Sequence, residues 1–136
     1  RRVVPDNIRY VKEMGKEIDK INMFFTDMEA RKRMRVSLGQ IPGILVTSSI
    51  PNNLEINAAG ADKGSALLRL AEFLGIGREE TMAFGDGEND LSMLRAAGLG
   101  VAMENGEEQV KQASDFVTVS NNDAGVASAI RKFVLE

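Results

Sequence analysis

The stretch Ala83-Phe84-Gly85-Asp86-Gly87-Glu88-Asn89-Asp90-Leu91 decides the fold. A short apolar strand over Thr81 to Phe84 runs straight into two glycines that permit a tight turn. Three acids and an amide crowd that turn, and a helix is predicted over Asp90 to Ala97. In an open α/β sheet, ligands bind at the carboxyl ends of the strands. Asp86 stands at such an end, and Asp90 lies one helical turn further on, able to face the same spot. Clustered carboxylates repel one another unless a cation joins them. A Mg2+ ion held by one or two carboxylates, waters and a substrate phosphate fits that arrangement. The simpler reading is a turn with a helix cap, because Asp and Asn are common at helix starts.

Downstream of this turn, Leu99 to Met103 reads as another strand, Glu107 to Ala113 as a helix and Phe116 to Val119 as a strand. Asp123 to Val134 closes the chain, with Val126, Ile130, Phe133 and Val134 on one helical face. Upstream, Ala66, Leu67, Leu70 and Leu74 mark an amphipathic helix that starts at Lys63 and ends at Gly75. Short strands alternating with helices predict βαβ units and a parallel, Rossmann-like α/β sheet. Asp62-Lys63-Gly64-Ser65 opens the upstream helix. Free backbone N–H groups and the positive dipole end favour an anion there, and the Lys63 ammonium adds a point charge suited to phosphate. The alternative for Lys63 is a solvated surface lysine. Asn121 to Val126 is a strand-to-helix loop on the same expected sheet edge. It borders a substrate, or Asp123 or Asn122 simply caps the last helix.

The style changes near Ala59-Gly60, and the earlier part predicts a smaller α+β piece. Pro5-Asp6 starts a helix with Asp6 as cap, and Ile8, Val11, Met14 and Ile18 recur at helical spacing. Ile21 to Phe25 reads as a strand and Met28 to Leu38 as a helix. Ile44 to Ile50 and Leu54 to Ala58 form a predicted hairpin around Pro51-Asn52-Asn53. Asp27 follows an apolar strand, as a nucleophile would. A carboxylate nucleophile of that type needs a second aspartate two residues on, and that position is Glu29, so a structural role is expected. The seven methionines, such as Met93 and Met103, are expected to fill the core rather than to form a cofactor box.

Composition removes whole classes of chemistry. The 136 residues contain no cysteine and no histidine. Disulfides, thiolate sites, imidazole ligands and histidine general bases are therefore excluded. Any metal must be held by oxygen, which favours a hard cation such as Mg2+. The formal charge of −3, from 17 basic and 20 acidic residues, argues against a nucleic-acid partner. No apolar run is long enough to span a bilayer, so no membrane partner is expected and a cytoplasmic location is. The chain opens on Arg1-Arg2 rather than Met, which leads us to expect that it begins inside a longer polypeptide.

Together these residues resemble a known family. Leu54-Glu55-Ile56, Asp62-Lys63-Gly64, Ala83 to Leu91 with Met93-Leu94, Gly100 to Asn105, and Gly125-Val126-Ala127 resemble the C-terminal part of Cof-like phosphatases. These are a branch of the haloacid dehalogenase superfamily. Each piece is weak alone; their order and spacing carry the likeness. Residues 1–58 more loosely resemble the C-terminal portion of that branch's α+β cap domain, and residues 59–136 the C-terminal half of its core. Family members transfer a phosphoryl group to an aspartate and then hydrolyse the aspartyl-phosphate. The resemblance implies that Lys63 binds the phosphoryl group, Asp86 ligates Mg2+, Asn89 contacts the phosphate and Asp90, the second acid, supports the metal site. It also implies a small phosphorylated metabolite as substrate. Sugar phosphates, pyridoxal phosphate and nucleotides all stay open.

The sequence departs from the family in one large respect. The family's nucleophile and general acid/base form an Asp-x-Asp pair on a central strand, with a Ser or Thr after the next strand, and no Asp-x-Asp occurs here. The expectation is a fragment that hydrolyses nothing alone. The strand ending at Asp86 would then have an open edge, inviting self-association or an N-terminal fragment. Three rivals resemble parts of the pattern. A P-type pump's phosphorylation domain carries a similar turn, but a membrane helix should soon follow it and none is present in 99–136. Phosphoserine phosphatases place their cap earlier. A non-enzymatic phosphate- or partner-binding module is the rival from another class.

Overall fold

A computed structural model describes residues 4–15 and 17–135. Two three-stranded sheets result, one antiparallel and one parallel. Among the described residues no helix is long and apolar enough to cross a membrane.

The first unit begins with α1 (Asn7–Met14), capped by the Asp6 carboxylate, which accepts from the Arg9 N–H at 2.9 Å. Gly15 takes a left-handed φ of 59° and stops this helix, so Ile18 lies beyond it rather than on its face. β1 (Ile21–Phe24) is followed by α2 (Met28–Gly39). Asp27 caps α2, accepting from the N–H groups of Glu29 and Ala30 at 2.9 and 3.1 Å. That is the structural role expected for it. β2 (Ile44–Thr47) and β3 (Asn53–Ala58) are antiparallel, as the turn residues predicted, and the sheet order is β1-β3-β2. β2 is shorter than predicted. The Asn53 side-chain oxygen accepts from Ser49 and Ile50 N–H at 3.1 and 3.2 Å, which folds Ser48 to Ile50 into the turn.

The second unit begins with α3 (Lys63–Leu74), set between the cap Asp62 and Gly75, whose φ is 70°. β4 (Met82–Gly85), α4 (Leu91–Ala96), β5 (Leu99–Met103), α5 (Glu108–Gln112), β6 (Phe116–Thr118) and α6 (Gly125–Ile130) complete it. The strands are parallel in the order β4-β5-β6, so β4 has one edge without a strand partner among the described residues. Ala83, Leu94, Ala97, Ala102 and Val110 form the core, with Leu67, Leu91 and Met93 packed against it. Met103 is buried too, so Met93 and Met103 pack as expected, whereas Met14, Met28 and Met34 are exposed on helices α1 and α2 and fill no core.

Close approach of backbones sets the geometry. A Cβ on Gly100 would sit 2.9 Å from the Leu94 carbonyl carbon, and one on Gly64 would sit 2.6 Å from the Ser92 carbonyl carbon. These glycines let α4 rest on β5 and α3 rest on α4. One predicted helix is preceded by a 3-10 turn and another is divided. Residues 88–90 form a tight 3-10 turn before α4. The closing segment is a 3-10 turn over 121–123, α6, and a widened π turn over 131–135. Neither Asn122 nor Asp123 caps α6, which has no side-chain cap; Ser120 caps the 3-10 turn before it, accepting from the Asn122 N–H at 3.2 Å. The predicted single apolar face is also broken: Val126 and Val134 are exposed, while the Phe133 ring meets Phe116 edge-on at 5.0 Å.

Candidate active site

β4 delivers the chain to the turn, and Gly85 makes the turn possible. A Cβ there would sit 2.5 Å from the Asp90 Cβ, so only glycine lets the Asp90 side chain fold back over the strand end. Asp90 is 6% exposed. One of its oxygens accepts from the N–H groups of Asp86 and Gly87 at 3.1 and 3.2 Å. The other pairs with the Lys63 ammonium. A buried carboxylate persists only when paired and hydrogen-bonded, and Asp90 is both.

Lys63 therefore stands where the sequence expected a cation, beside the turn. The reason is different from the one expected. The N–H groups of Gly64 and Ser65 are not free for an anion: Asp62 accepts from them at 2.9 and 3.0 Å, and Ser92 Oγ also accepts from Gly64 at 3.1 Å. The Ser65 N–H, and then its hydroxyl at 2.8 Å, hold the Asp62 carboxyl below its ordinary value of 3.8. What remains for a ligand at this helix end is the Lys63 side chain itself.

Asp86 is exposed, and among the described residues its side chain hydrogen-bonds only the Asn105 amide, at a long 3.3 Å. Its main chain is held on both sides, the N–H by Asp90 and the carbonyl by the Glu107 N–H at 2.9 Å. Asp86 is thus the carboxylate of the turn with oxygen left for a cation, whereas Asp90 is engaged at both oxygens. Among the described residues no group of three or more acids gathers as a complete metal site. Asn89 is half-buried beside the turn, and its side-chain amide makes no hydrogen bond among the described residues.

Two contributors were not assigned a role from sequence. Asn105 donates to Asp86 and accepts from the Asn121 N–H at 2.9 Å, so it ties the turn to the loop after β6. The resemblance quoted Asn105 without giving it work to do. Glu88 forms a two-point ion pair with Arg35 on α2, across 53 residues of sequence. No local pattern announces such a pair.

A cleft of about 680 Å3 opens beside Lys63 and Asn89. α3 and α4 form one wall, and residues of β2 and β3 form the other. On β3 the side chains alternate, so Glu55 and Asn57 face the cleft while Leu54 is buried on the opposite side. Glu55 accepts from Lys20 at 2.8 Å and from Ser49 at 2.6 Å. Lys20 foremost, then Ser49, hold its carboxyl below the usual 4.5, against the opposing effect of burial.

Comparison with known proteins gives this arrangement a family. The family model of haloacid dehalogenase-like hydrolases matches residues 2–130. A 5-amino-6-(5-phospho-D-ribitylamino)uracil phosphatase of Bacillus subtilis is 42% identical over 109 residues, covering 80% of this chain and 44% of that protein. A haloacid dehalogenase-like hydrolase of B. subtilis superposes with a TM-score of 0.81 at 37% identity, covering 90% of this chain and 45% of the other. A subclass IIB sugar phosphatase superposes with the same TM-score of 0.81 at 33% identity, covering 93% and 47%. The chain thus spans less than half the length of each of these three relatives. The chain therefore belongs to the haloacid dehalogenase-like hydrolases.

Proposed function

We propose that this chain is the phosphate- and cation-binding part of a magnesium-dependent phosphomonoester hydrolase, acting on a sugar phosphate or related small metabolite. The observation that carries the reading is the meeting of Lys63, Asp86, Asn89 and Asp90 at the carboxyl end of β4. Lys63 offers an ammonium and Asn89 an amide to phosphoryl oxygens. Asp86 offers a carboxylate oxygen to Mg2+. Asp90 supports that site by holding the turn and the Lys63 ammonium in place. When bound, Mg2+ supplies positive charge against the phosphoryl oxygens, and one or two carboxylates with several waters suffice to hold it. The sugar phosphatase and the uracil-derivative phosphatase among the relatives favour a small phosphorylated substrate.

The chemistry runs through an aspartyl-phosphate. An aspartate carboxylate attacks phosphorus, the bond from phosphorus to the ester oxygen breaks, and the alcohol leaves with a proton. Water then attacks the aspartyl-phosphate, releasing inorganic phosphate and restoring the aspartate. The 136 residues contain no Asp-x-Asp, so on this reading the attacking aspartate and its acid/base partner lie outside them. The chain alone then turns over no ester. The free edge of β4 is where the missing piece, or a second copy of this chain, adds a strand. We assign the protein to the cytoplasm, without a nucleic-acid or membrane partner.

Calorimetric Mg2+ titration and a p-nitrophenyl phosphate assay test this. We expect Mg2+ binding that is lost in Asp86→Asn, and no hydrolysis by the chain alone. Turnover by the chain alone, abolished in Asp86→Asn, would overturn the division of the site. Mg2+ binding indifferent to Asp86→Asn would remove the role given to that residue. The absence of Asp-x-Asp also favours a second reading, a phosphate-binding module without catalysis. The reading frame upstream of Arg1 separates the two: an Asp-x-Asp-x-Thr strand there means an enzyme.

A further inference from the structure

The charge left unpaired in the cleft is cationic. Three carboxylates line it, and each is already engaged. Glu55 is held by Lys20 and Ser49, Asp62 caps α3, and Glu88 pairs with Arg35. Two arginines line the same cleft, Arg69 on α3 and Arg95 on α4. Neither guanidinium has a hydrogen bond or ion pair among the described residues. Arg9, Arg31, Arg33, Arg35 and Arg78 each reach an acceptor, and Arg131, the other described arginine without one, lies outside this cleft. A guanidinium presents a planar fork of donors that matches a carboxylate or a phosphate.

Position adds a length scale. Arg69 lies six residues along α3 from Lys63, about 9 Å at about 1.5 Å of rise per residue. Resting on the phosphate site proposed above, we infer that the cleft takes a phosphomonoester bearing a second anionic group. That group lies further along α3, about 9 Å of helix rise beyond Lys63, and is received by Arg69 and Arg95. The ester phosphate lies at Lys63 and Asn89, and the second anion, a carboxylate or a phosphate, lies further along the α3–α4 wall.

Two six-carbon probes separate this from simple phosphate binding: hexyl phosphate, and its analogue ending in a carboxylate, 6-(phosphonooxy)hexanoate. Each is titrated calorimetrically into the chain with Mg2+ present, and into the double variant Arg69→Ala/Arg95→Ala. Both arginines are exposed, so the variant keeps the fold. We expect the carboxylate-bearing probe to bind about tenfold more tightly than hexyl phosphate. That advantage should disappear in the double variant, with hexyl phosphate affinity unchanged. Equal affinities in the native chain, or an advantage that survives loss of both arginines, overturn the inference and leave the phosphate site standing. Failure of both probes to bind overturns the phosphate site itself, and the second-anion site with it.

Discussion

Asp90 and Glu55 are both buried carboxylates paired with a lysine, one at the turn after β4 and one on the cleft face of β3. They are held in opposite ways. Asp90 is gripped by main-chain N–H groups three and four residues away, in a turn that a glycine makes possible. Glu55 is gripped by side chains: Lys20 from 35 residues away, Ser49 and, at a long 3.4 Å, Asn53. A main-chain grip survives as long as the turn survives. A side-chain grip depends on each partner's identity and on its charge. The contrast predicts that the first site is broken by changes in shape and the second by changes in protonation.

The largest effect should come from Asp90→Ala. It leaves the N–H groups of Asp86 and Gly87 without their acceptor and frees the Lys63 ammonium. We expect a loss of about 3 kcal/mol in urea unfolding, from an unsatisfied buried turn. If Glu55→Ala costs more than Asp90→Ala, the ranking of the two sites is wrong. Next comes Gly85→Ala, where the added methyl meets the Asp90 Cβ. Overpacking of this kind costs about 2 kcal/mol and should weaken Mg2+ binding by displacing the turn.

The Glu55 network sharpens the comparison through pH. Its folded pKa is lowered, so the stability it contributes is fully present above the unfolded value of 4.5 and is lost as pH falls through the lower folded value. Glu55→Gln should cost about 1 kcal/mol at neutral pH and flatten the decline below pH 4.5 in circular-dichroism melts. An unchanged acid decline in that variant would place the titrating group elsewhere. The smallest effect belongs to Arg35→Ala, which removes the half-exposed pair with Glu88. It should cost under about 1 kcal/mol, and less still in molar salt. A larger, salt-independent loss would show that the pair does more than join α2 to the turn.

The same contrast explains what could be read in advance. The turn around Asp86 was legible because its devices are local: paired glycines, an acid at each end and a strand running into it. α3 was legible from the spacing of Ala66, Leu67, Leu70 and Leu74 and from Gly75 at its end. Gly15 was equally local, and the apolar spacing to Ile18 drew attention away from it. Asn105 and the Arg35–Glu88 pair could not be read, because their partners are distant in sequence and meet only after the strands are placed. The closing helix was misjudged for a related reason. A Cβ on Gly125 would lie 2.7 Å from Met103 Cε, and Ala124 turns to a φ of 56° beside it; packing sets that start, not periodicity.

The double anchoring of the Asp86 main chain has a thermodynamic consequence. Its N–H is tethered to Asp90 and its carbonyl to Glu107, so the main chain is already held at both groups before any ion arrives. A cation reaching the carboxylate then has little backbone freedom to remove, and affinity reflects coordination set against dehydration alone. Loosening either tether should slow no encounter; it should shorten the time the ion stays.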